Sequence, residues 1–245
     1  MFVSASAKSS RYLGPALFSQ FMWINSQAAR YAEARHAMVE TQLRRRGVQD
    51  ERVLQAMLRV PRHEFVPPES KGQAYEDHPL PIGEGQTISQ PYIVAIMLEA
   101  LALNSKDVVL EVGTGCGYLT ALLAELCQHV YSIELHESLA QQARDALQRL
   151  GYANATVFAG DGALGLPQYA PFQAIVVSAA TDEVPPPLFE QLAEAGRMVI
   201  PVGPAEAQQL QFIRKQAGNP VITVLEGCRF VPLVTSGPNS KPIPA

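Results

Sequence analysis

The feature that most constrains this chain is a regular alternation of short apolar runs with helical patterns from residue 108 onward. Near-continuously apolar runs are typical of parallel strands buried on both faces, and the intervening helices must cover those faces. The sequence therefore predicts an α/β fold with a mostly parallel sheet. The predicted strands are 108–112, 129–134, 155–159, 172–177 and 198–202, and the predicted helices between them are 118–126, 139–150 and 188–193.

The segment ahead of this alternation has other patterns. Residues 31–60 show helical periodicity, which Gly47 divides into two helices, with Asp50 as the predicted N-cap of the second and Pro61 as its end. Residues 62–90 are rich in proline and glycine and have no clear period. A loop of this length inside a compact domain is often functional.

The chain changes its rhythm again after the last parallel strand. Residues 210–214 and 221–225 flank a Gly-Asn-Pro turn at 218–220, which predicts an antiparallel hairpin at the edge of the sheet. One more helix is predicted over residues 93–103, ahead of the first strand. The expected architecture is a Rossmann-like, mostly parallel sheet with an antiparallel edge hairpin and an N-terminal helical extension.

Charge and composition count against several classes of protein. The formal net charge is -4, whereas a nucleic-acid binder needs a basic surface, so no nucleic-acid partner is expected. No stretch approaches the roughly 20 apolar residues that span a bilayer, so no membrane association is expected. The three cysteines and five histidines have no metal-ligand spacing, so no metal is expected. Such sparse, unpaired cysteines fit the reducing cytoplasm.

The junction of the first parallel strand and its helix carries a ligand-binding pattern. Residues 111–117 read EVGTGCG, with Gly113, Gly115 and Gly117 two residues apart. Glycines without Cβ atoms let a ligand approach the backbone, and the helix N-terminus offers free N–H donors. The spacing differs from the GxGxxG of dinucleotide sites. With Glu111 two residues before the first glycine, it resembles motif I of the S-adenosylmethionine-dependent methyltransferases.

Acidic residues also end the next two strands. Glu134 ends the second strand, where a carboxylate can accept both hydrogen bonds of a ribose diol. Asp161 and Gly162 follow the third strand, and an acid there resembles the residue that meets the adenine amino group in this methyltransferase class. Because open α/β sheets bind ligands at this edge, these residues and the three glycines are predicted to bind S-adenosyl-L-methionine. Two roles stay open for Glu111: a water-mediated bond to the cofactor amino group, or orientation of the loop.

A more specific pattern lies just upstream. Residues 80–92 read LPIGEGQTISQPY, and this segment resembles the signature of the protein-L-isoaspartate O-methyltransferases. The sequences VPR at 60–62, SAA at 178–180 and RFVPL at 229–233 also match that family, with the spacing kept. The resemblance covers roughly residues 33–234.

The resemblance implies a seven-strand Rossmann-like sheet and an activity. The family transfers a methyl group from S-adenosylmethionine to the free carboxylate of L-isoaspartyl residues in damaged proteins and peptides, and the ester then closes to a succinimide. The resemblance also marks Ser89 as the active-site serine. We predict that the Ser89 hydroxyl orients the substrate carboxylate and that Thr87 assists, because an ionised carboxylate needs no general base. From the residues alone, a helix cap remains a second role for Ser89, which precedes Pro91 and a helix.

Two other functions compete with this one, and the first is a methyltransferase that acts on nucleic acid or a small molecule. Enzymes that methylate exocyclic amines typically place an Asn/Asp-Pro-Pro-aromatic run after the fourth strand, and Ser178-Ala179-Ala180 offers no such acceptors. A catalytically silent module that binds the cofactor or a partner protein is the other alternative. The intact signature loop argues against it.

The predicted organisation is one methyltransferase domain over residues 33–235, with a helical and substrate-loop part at 33–104 and a cofactor-binding sheet at 105–235. We expect residues 1–32 to form a poorly ordered extension. Their basic, acid-free start leaves open a targeting segment, a loosely docked extension, or an upstream start ahead of Met38. Residues 236–245 are predicted to be a flexible tail. A cytoplasmic monomer is expected.

Overall fold

A computed structural model of the protein describes residues 27–235, and a sheet of seven strands lies at its centre. A separate two-stranded antiparallel hairpin precedes this sheet in the chain. The hairpin strands are β1 (Leu80–Gly83) and β2 (Gln86–Ile88), and the sheet strands are β3 (Val108–Val112), β4 (His129–Glu134), β5 (Ala155–Ala159), β6 (Phe172–Val177), β7 (Leu192–Val202), β8 (Gln208–Gln216) and β9 (Asn219–Cys228).

Helices precede the sheet and connect its parallel strands. Residues 27–37 form helix α1, which continues as a π-helical turn over Met38–Leu43 and a 3-10 turn over Arg44–Arg46. The other helices are α2 (Glu51–Arg59), α3 (Pro91–Leu101), α4 (Tyr118–Ala124), α5 (Glu137–Leu150) and α6 (Pro186–Glu190).

The strand order is β5-β4-β3-β6-β7-β8-β9. Strands β3 to β7 pair in parallel, whereas β8 and β9 are antiparallel to their neighbours. The order reverses at β3, because the chain adds β4 and β5 on one side and then crosses to β6 on the other. The carboxyl ends of β3 and β6 therefore lie side by side at a topological switch point, where doubly wound sheets bind ligands.

The core has two layers, one on each face of the sheet. Alternate residues of β3 point to opposite faces: Val109 packs with α3, α4 and α5, whereas Leu110 packs with α6 and the segment before β6. Because both faces are covered, the parallel strands carry apolar residues on both sides, which is the pattern seen in the sequence. Glu111 lies on the α4 face, fully buried.

The predicted fold is confirmed, with differences in particular elements. Asp50 is the N-cap of α2, with its Oδ1 accepting a hydrogen bond from the Arg52 N–H at 2.9 Å. The predicted helix at 188–193 is instead the shorter α6, because prolines place its start at Pro186. Strand β7 begins at Leu192, earlier than predicted, because Glu194 to Gly196 interrupt its apolar pattern without ending it. Residues 62–90 contain 3-10 turns at Arg62–Glu64 and Pro68–Gln73 as well as the β1–β2 hairpin.

An aromatic cluster holds α1 against the segment after α2. The ring of Tyr31 stacks on His63 with centroids 3.9 Å apart, and His63 Nδ1 lies 2.7 Å from the hydroxyl of Tyr75. Residues 27–32, the last part of the extension expected to be poorly ordered, belong to helix α1, and Tyr31 on this helix makes the contact with His63. Residues 1–26 and the predicted tail, 236–245, lie outside the described residues.

This cluster gives the protein an expected pH dependence. Burial lowers the pKa of His63 from its ordinary value of 6.5 to about 4, against a weaker attraction from Glu64. The unfolded chain takes up a proton at His63 below pH 6.5, whereas the folded chain does so only near pH 4, so stability falls as the pH drops through this window. Each pKa unit corresponds to about 1.4 kcal/mol, and partial solvent screening leaves an expected loss of about 2 kcal/mol.

Urea unfolding of His63→Phe between pH 7.5 and 4 tests this expectation. Phenylalanine keeps a ring against Tyr31 but does not titrate, so the variant should lose less stability on acidification than the wild type. His78→Gln is the matched control, because hydrogen bonding to Pro79 and Glu76 raises the pKa of His78. Equal acid sensitivity in His63→Phe and the wild type would show that His63 is not the source.

Candidate active site

A cleft lies at the carboxyl edge of the parallel strands, beside the switch point at β3. The space within it is about 900 Å³ when the open solvent at its mouth is included. The segment from β2 to α3, the glycine loop after β3, the ends of β4 and β6, and the last described residues all line it. The polar residues of this lining include Gln86, Thr87, Ser89, Thr114, Tyr118, Glu134, His136 and Ser178.

The cleft brings together most of the residues that the sequence predicts for the site. Those in its lining are Thr87, Ser89, Gly113, Gly115, Glu134 and Gly162. The other three, Glu111, Gly117 and Asp161, are not part of this lining, but each is next in the chain to a residue that is.

The glycine loop needs its glycines for backbone shape and for close packing. Gly115 has a φ of +54°, and a Cβ at this position would lie 3.1 Å from Cδ1 of Ile82 in the β1–β2 hairpin. Gly117 has a φ of +88° and is the N-cap of α4, where a Cβ would lie 3.2 Å from Cβ of Ala143 in α5. Gly117 therefore lets α4 and α5 pack closely, and Gly115 lets the hairpin cover the loop.

Glu134 is placed at the end of β4 with both carboxylate oxygens facing backbone donors. Its Oε2 accepts a hydrogen bond from Gly115 N at 2.8 Å, and its Oε1 accepts one from His136 N at 3.0 Å. The side chain is buried yet lines the cleft. Each carboxylate oxygen can accept more than one hydrogen bond, so Glu134 can fix the glycine loop and still accept from a ligand.

Glu111 holds the loop from behind. Its Oε2 accepts hydrogen bonds from Thr120 Oγ1 and Ser132 Oγ, each at 2.6 Å, and Ser132 Oγ lies 2.5 Å from Thr114 Oγ1 in the glycine loop. Burial raises the pKa of Glu111 to about 8, although the hydrogen bonds from Ser132 and Thr120 act in the opposite direction. Of the two roles left open for Glu111, this geometry favours orientation of the glycine loop.

Asp161 and Gly162 form the turn after β5. The Asp161 Oδ1 accepts a hydrogen bond from Ala163 N at 3.0 Å and so caps the 3-10 turn Gly162–Leu164. A Cβ on Gly162 would lie 2.5 Å from Cγ1 of Val112, so any other residue would force the Val112 side chain to move. The turn therefore brings its backbone against the cleft.

Ser89 and Thr87 enter the cleft from the opposite side. They lie two residues apart, Thr87 within β2 and Ser89 directly after its end, and both line the cleft. Helix α3 begins with Gln90 as its N-cap, and no side chain caps it. The helix-cap role that the sequence left open for Ser89 is therefore not the one found. Its carbonyl oxygen accepts a hydrogen bond from Arg62 Nη2 at 2.8 Å.

The β1–β2 hairpin spans the cleft between α3 and α5. At its tip, Glu84 Oε1 accepts a hydrogen bond from Ser138 Oγ at 2.7 Å, in the first turn of α5. Glu84 Oε2 also lies 3.9 Å from His136 Nδ1. The hairpin thus forms one wall above the glycine loop.

Sequence reasoning missed several residues of the cleft. Ser178 packs against Gly113, whose Cβ would lie 3.4 Å from Cβ of Ser178. Residues 231–234 reach the cleft because Ala180 pairs with them: Ala180 N donates to Val231 O at 2.8 Å, and Leu233 N donates to Ala180 O at 2.7 Å. The SAA and RFVPL matches were available signals, but only the fold shows that these two segments pair.

Comparisons with known proteins identify the family of this chain. The sequence profile of the protein-L-isoaspartate(D-aspartate) O-methyltransferase (PCMT) family matches residues 33–237. A protein-L-isoaspartate O-methyltransferase of Koribacter versatilis is 57% identical over 204 residues, which are 83% of this chain and 92% of that protein. One of Opitutus terrae is 53% identical over 213 residues, 86% of this chain and 91% of that protein.

Solved structures give the same result. A structure of a protein-L-isoaspartate O-methyltransferase superposes with a TM-score of 0.73 at 31% identity, covering 84% of this chain and 66% of that chain. The crystal structure of a beta-aspartate methyltransferase (PCMT) from Plasmodium falciparum in complex with S-adenosyl-L-homocysteine gives a TM-score of 0.72 at 28% identity, covering 82% and 98%. The chain belongs to the protein-L-isoaspartate O-methyltransferase family.

Proposed function

We propose that this protein transfers a methyl group from S-adenosyl-L-methionine to the free carboxylate of L-isoaspartyl residues in damaged proteins and peptides, which starts their repair through a succinimide. One observation carries the proposal. The hydroxyl-bearing loop with Thr87 and Ser89 lines the same cleft as Gly113, Gly115 and Glu134. A substrate carboxylate and a cofactor therefore have one shared cavity in which to meet.

The donors and acceptors of the cleft suit this cofactor. The glycine loop offers close backbone approach for its amino-acid end, Glu134 offers a carboxylate for its ribose diol, and the Asp161–Gly162 turn borders the adenine side. Glu111 and Gly117 hold the loop in shape without lining the cleft. When bound, the cofactor supplies an electrophilic methyl group on a sulfonium.

The chain's own residues then have two tasks, to orient the carboxylate and to exclude water. Ser89 donates a hydrogen bond to one carboxylate oxygen and leaves the other free to attack in line, with Thr87 assisting from the same loop. No general base is needed, because a carboxylate with a pKa of roughly 4 is ionised at neutral pH. Apolar neighbours such as Met97 and Leu233, together with the hairpin, exclude water. Exclusion of water favours a transition state in which opposite charges cancel. Good alignment of the two reactants lowers the activation barrier by roughly 7–11 kcal/mol in favourable cases.

Partners and location follow from the same features. We propose that isoaspartyl proteins and peptides are the substrates, that nucleic acid and membranes are not partners, and that the protein acts as a cytoplasmic monomer. A net charge of -4 disfavours binding to the phosphate backbone of a nucleic acid. Within residues 27–235, no helix combines the length and apolar character needed to cross a bilayer, and no group of three or more candidate ligands could hold a metal ion. Cys116, Cys127 and Cys228 are free thiols.

The decisive experiment offers the protein two short synthetic peptides that differ only in one residue, L-isoaspartyl or L-aspartyl, with methyl-labelled S-adenosylmethionine. We expect base-labile label in the isoaspartyl peptide and only background in its aspartyl twin. Competition by unlabelled isoaspartyl peptide should abolish the signal. Equal labelling of both peptides, or binding of cofactor without labelling of either, would refute the proposed substrate.

A further inference from the structure

Arg62 is a fully buried arginine directly behind the substrate loop. Its Nη2 donates to the carbonyl oxygen of Ser89 at 2.8 Å, and its Nε donates to the carbonyl oxygen of Ala74 at 2.7 Å. Its guanidinium carbon lies 4.9 Å from the ring centroid of Tyr118. Tyr118 is the first residue of α4, immediately after the glycine loop, and it lines the cleft.

The charge of Arg62 has no acidic partner within residues 27–235. Its electrostatic neighbours are Tyr118, Cys116 and Tyr75, and its Nη1 is buried with no acceptor at hydrogen-bonding distance. Burial of a cation without a counter-charge is unfavourable, and apolar residues of similar volume often replace buried charges at no cost in stability. A residue that served packing alone would not need a guanidinium here.

The contacts of Arg62 join the two halves of the cleft. One nitrogen donates to the main chain of the loop that carries Ser89, and the guanidinium carbon lies over the ring of Tyr118, the residue that follows the glycine loop. Because a guanidinium is planar and rigid, these contacts set a fixed distance between the two loops. We propose that Arg62 is a positioning residue for methyl transfer, which orients the Ser89 hydroxyl toward the cofactor side of the cleft by holding the Ser89 carbonyl.

This inference rests on the proposed role of Ser89. A carbonyl held by Arg62 fixes the peptide plane between Ser89 and Gln90, and with it the direction in which the Ser89 side chain leaves the backbone. In-line transfer is sensitive to such placement, since a displacement of about 1 Å can cost roughly 100-fold in rate. Arg62 does not itself line the cleft, so its effect should appear in kcat and not in cofactor binding.

The test measures kcat and KM of Arg62→Lys and Arg62→Gln with an isoaspartyl peptide. Glutamine should lower kcat by about 30-fold, with KM for S-adenosylmethionine unchanged within about twofold. Lysine keeps the charge, but its compact ammonium cannot span the two carbonyls as the planar group does, so its kcat should fall nearly as far. Wild-type kcat in Arg62→Lys would overturn the inference, and this variant carries the test if Arg62→Gln does not fold.

A double-mutant cycle with Ser89→Ala separates positioning from general structural damage. If Arg62 acts through Ser89, the double variant with Arg62→Gln should have a kcat within about twofold of Ser89→Ala alone. Losses that multiply would overturn the inference. Full activity in Ser89→Ala would overturn the proposed site as well, whereas loss in Ser89→Ala with full activity in Arg62→Gln would overturn only the role of Arg62.

Arg59→Gln is the matched control. Arg59 also joins the N-terminal part to the C-cap of α4, through a 2.6 Å ion pair with Glu125, but its side chain is half exposed and its hydrogen bond goes to Glu125 rather than to the Ser89 carbonyl. The kcat of Arg59→Gln should equal that of the wild type. A loss as large as that of Arg62→Gln would show that any weakening of this contact between the two parts lowers activity, which would overturn the specific role of Arg62.

Discussion

Replacement of Ser89 by alanine is expected to lower kcat for an isoaspartyl peptide by about 100-fold, because the substrate carboxylate loses the donor that aligns it. The affinity for S-adenosylmethionine should stay within about twofold of the wild type, since the cofactor contacts proposed for Gly113, Gly115 and Glu134 are untouched. Labelled-methyl transfer and calorimetric binding measure the two quantities on the same preparation.

The structure also predicts that Ser89→Ala changes stability little. A serine that caps a helix contributes about 1 kcal/mol, but Gln90 is the N-cap of α3 and no side chain caps that helix. Urea unfolding should therefore give a free energy within about 0.5 kcal/mol of the wild type. Ser105→Ala, at an exposed turn, serves as the control and should keep both activity and stability. Full turnover in Ser89→Ala would remove this residue from the site.

The α/β core could be predicted because burial of its strands on both faces produces continuous apolar runs in the sequence. The apolar runs that become β3, β4, β5 and β6 begin and end at the predicted residues, since strands buried on both faces have no polar alternation to blur their limits. The position of the acidic residues at the strand ends could be predicted equally well. Carboxyl ends of parallel strands share one edge, so Glu134 and the Asp161–Gly162 turn had to lie near the glycine loop.

The β1–β2 hairpin escaped prediction for a physical reason. Its strands have four and three residues, β1 contains Pro81, and positive φ angles occur at Gly83, which ends β1, and at Glu84 and Gly85 in the turn. No apolar alternation of useful length remains. The hairpin is held instead by tertiary contacts, namely Ile82 on the glycine loop and Glu84 on α5.

The residues behind the site were the least accessible to sequence reasoning. Glu111 has two hydroxyl partners, Thr120 and Ser132, that are 9 and 21 residues away in the chain. The Ser89 carbonyl meets Arg62 from 27 residues upstream. No local period or spacing predicts such contacts, because they depend on how α4 and the 3-10 turn at residue 62 pack in three dimensions.

Replacement of Glu134 by alanine is expected to weaken binding of S-adenosylmethionine by about 100-fold. Hydrogen bonds to a charged group contribute about 1.5–3 kcal/mol each, and about 1.4 kcal/mol changes a dissociation constant tenfold. The variant also leaves the N–H groups of Gly115 and His136 without their acceptor, so the free protein should lose about 1–2 kcal/mol of stability. Calorimetric titration measures the change in affinity, and urea unfolding measures the change in stability.

Glu137→Gln is the control, because Glu137 is an exposed acid that pairs with Arg144 on the surface and its loss should leave cofactor binding unchanged. Wild-type affinity in Glu134→Ala would mean that the ribose is held elsewhere, and the proposed orientation of the cofactor in the cleft would then be wrong.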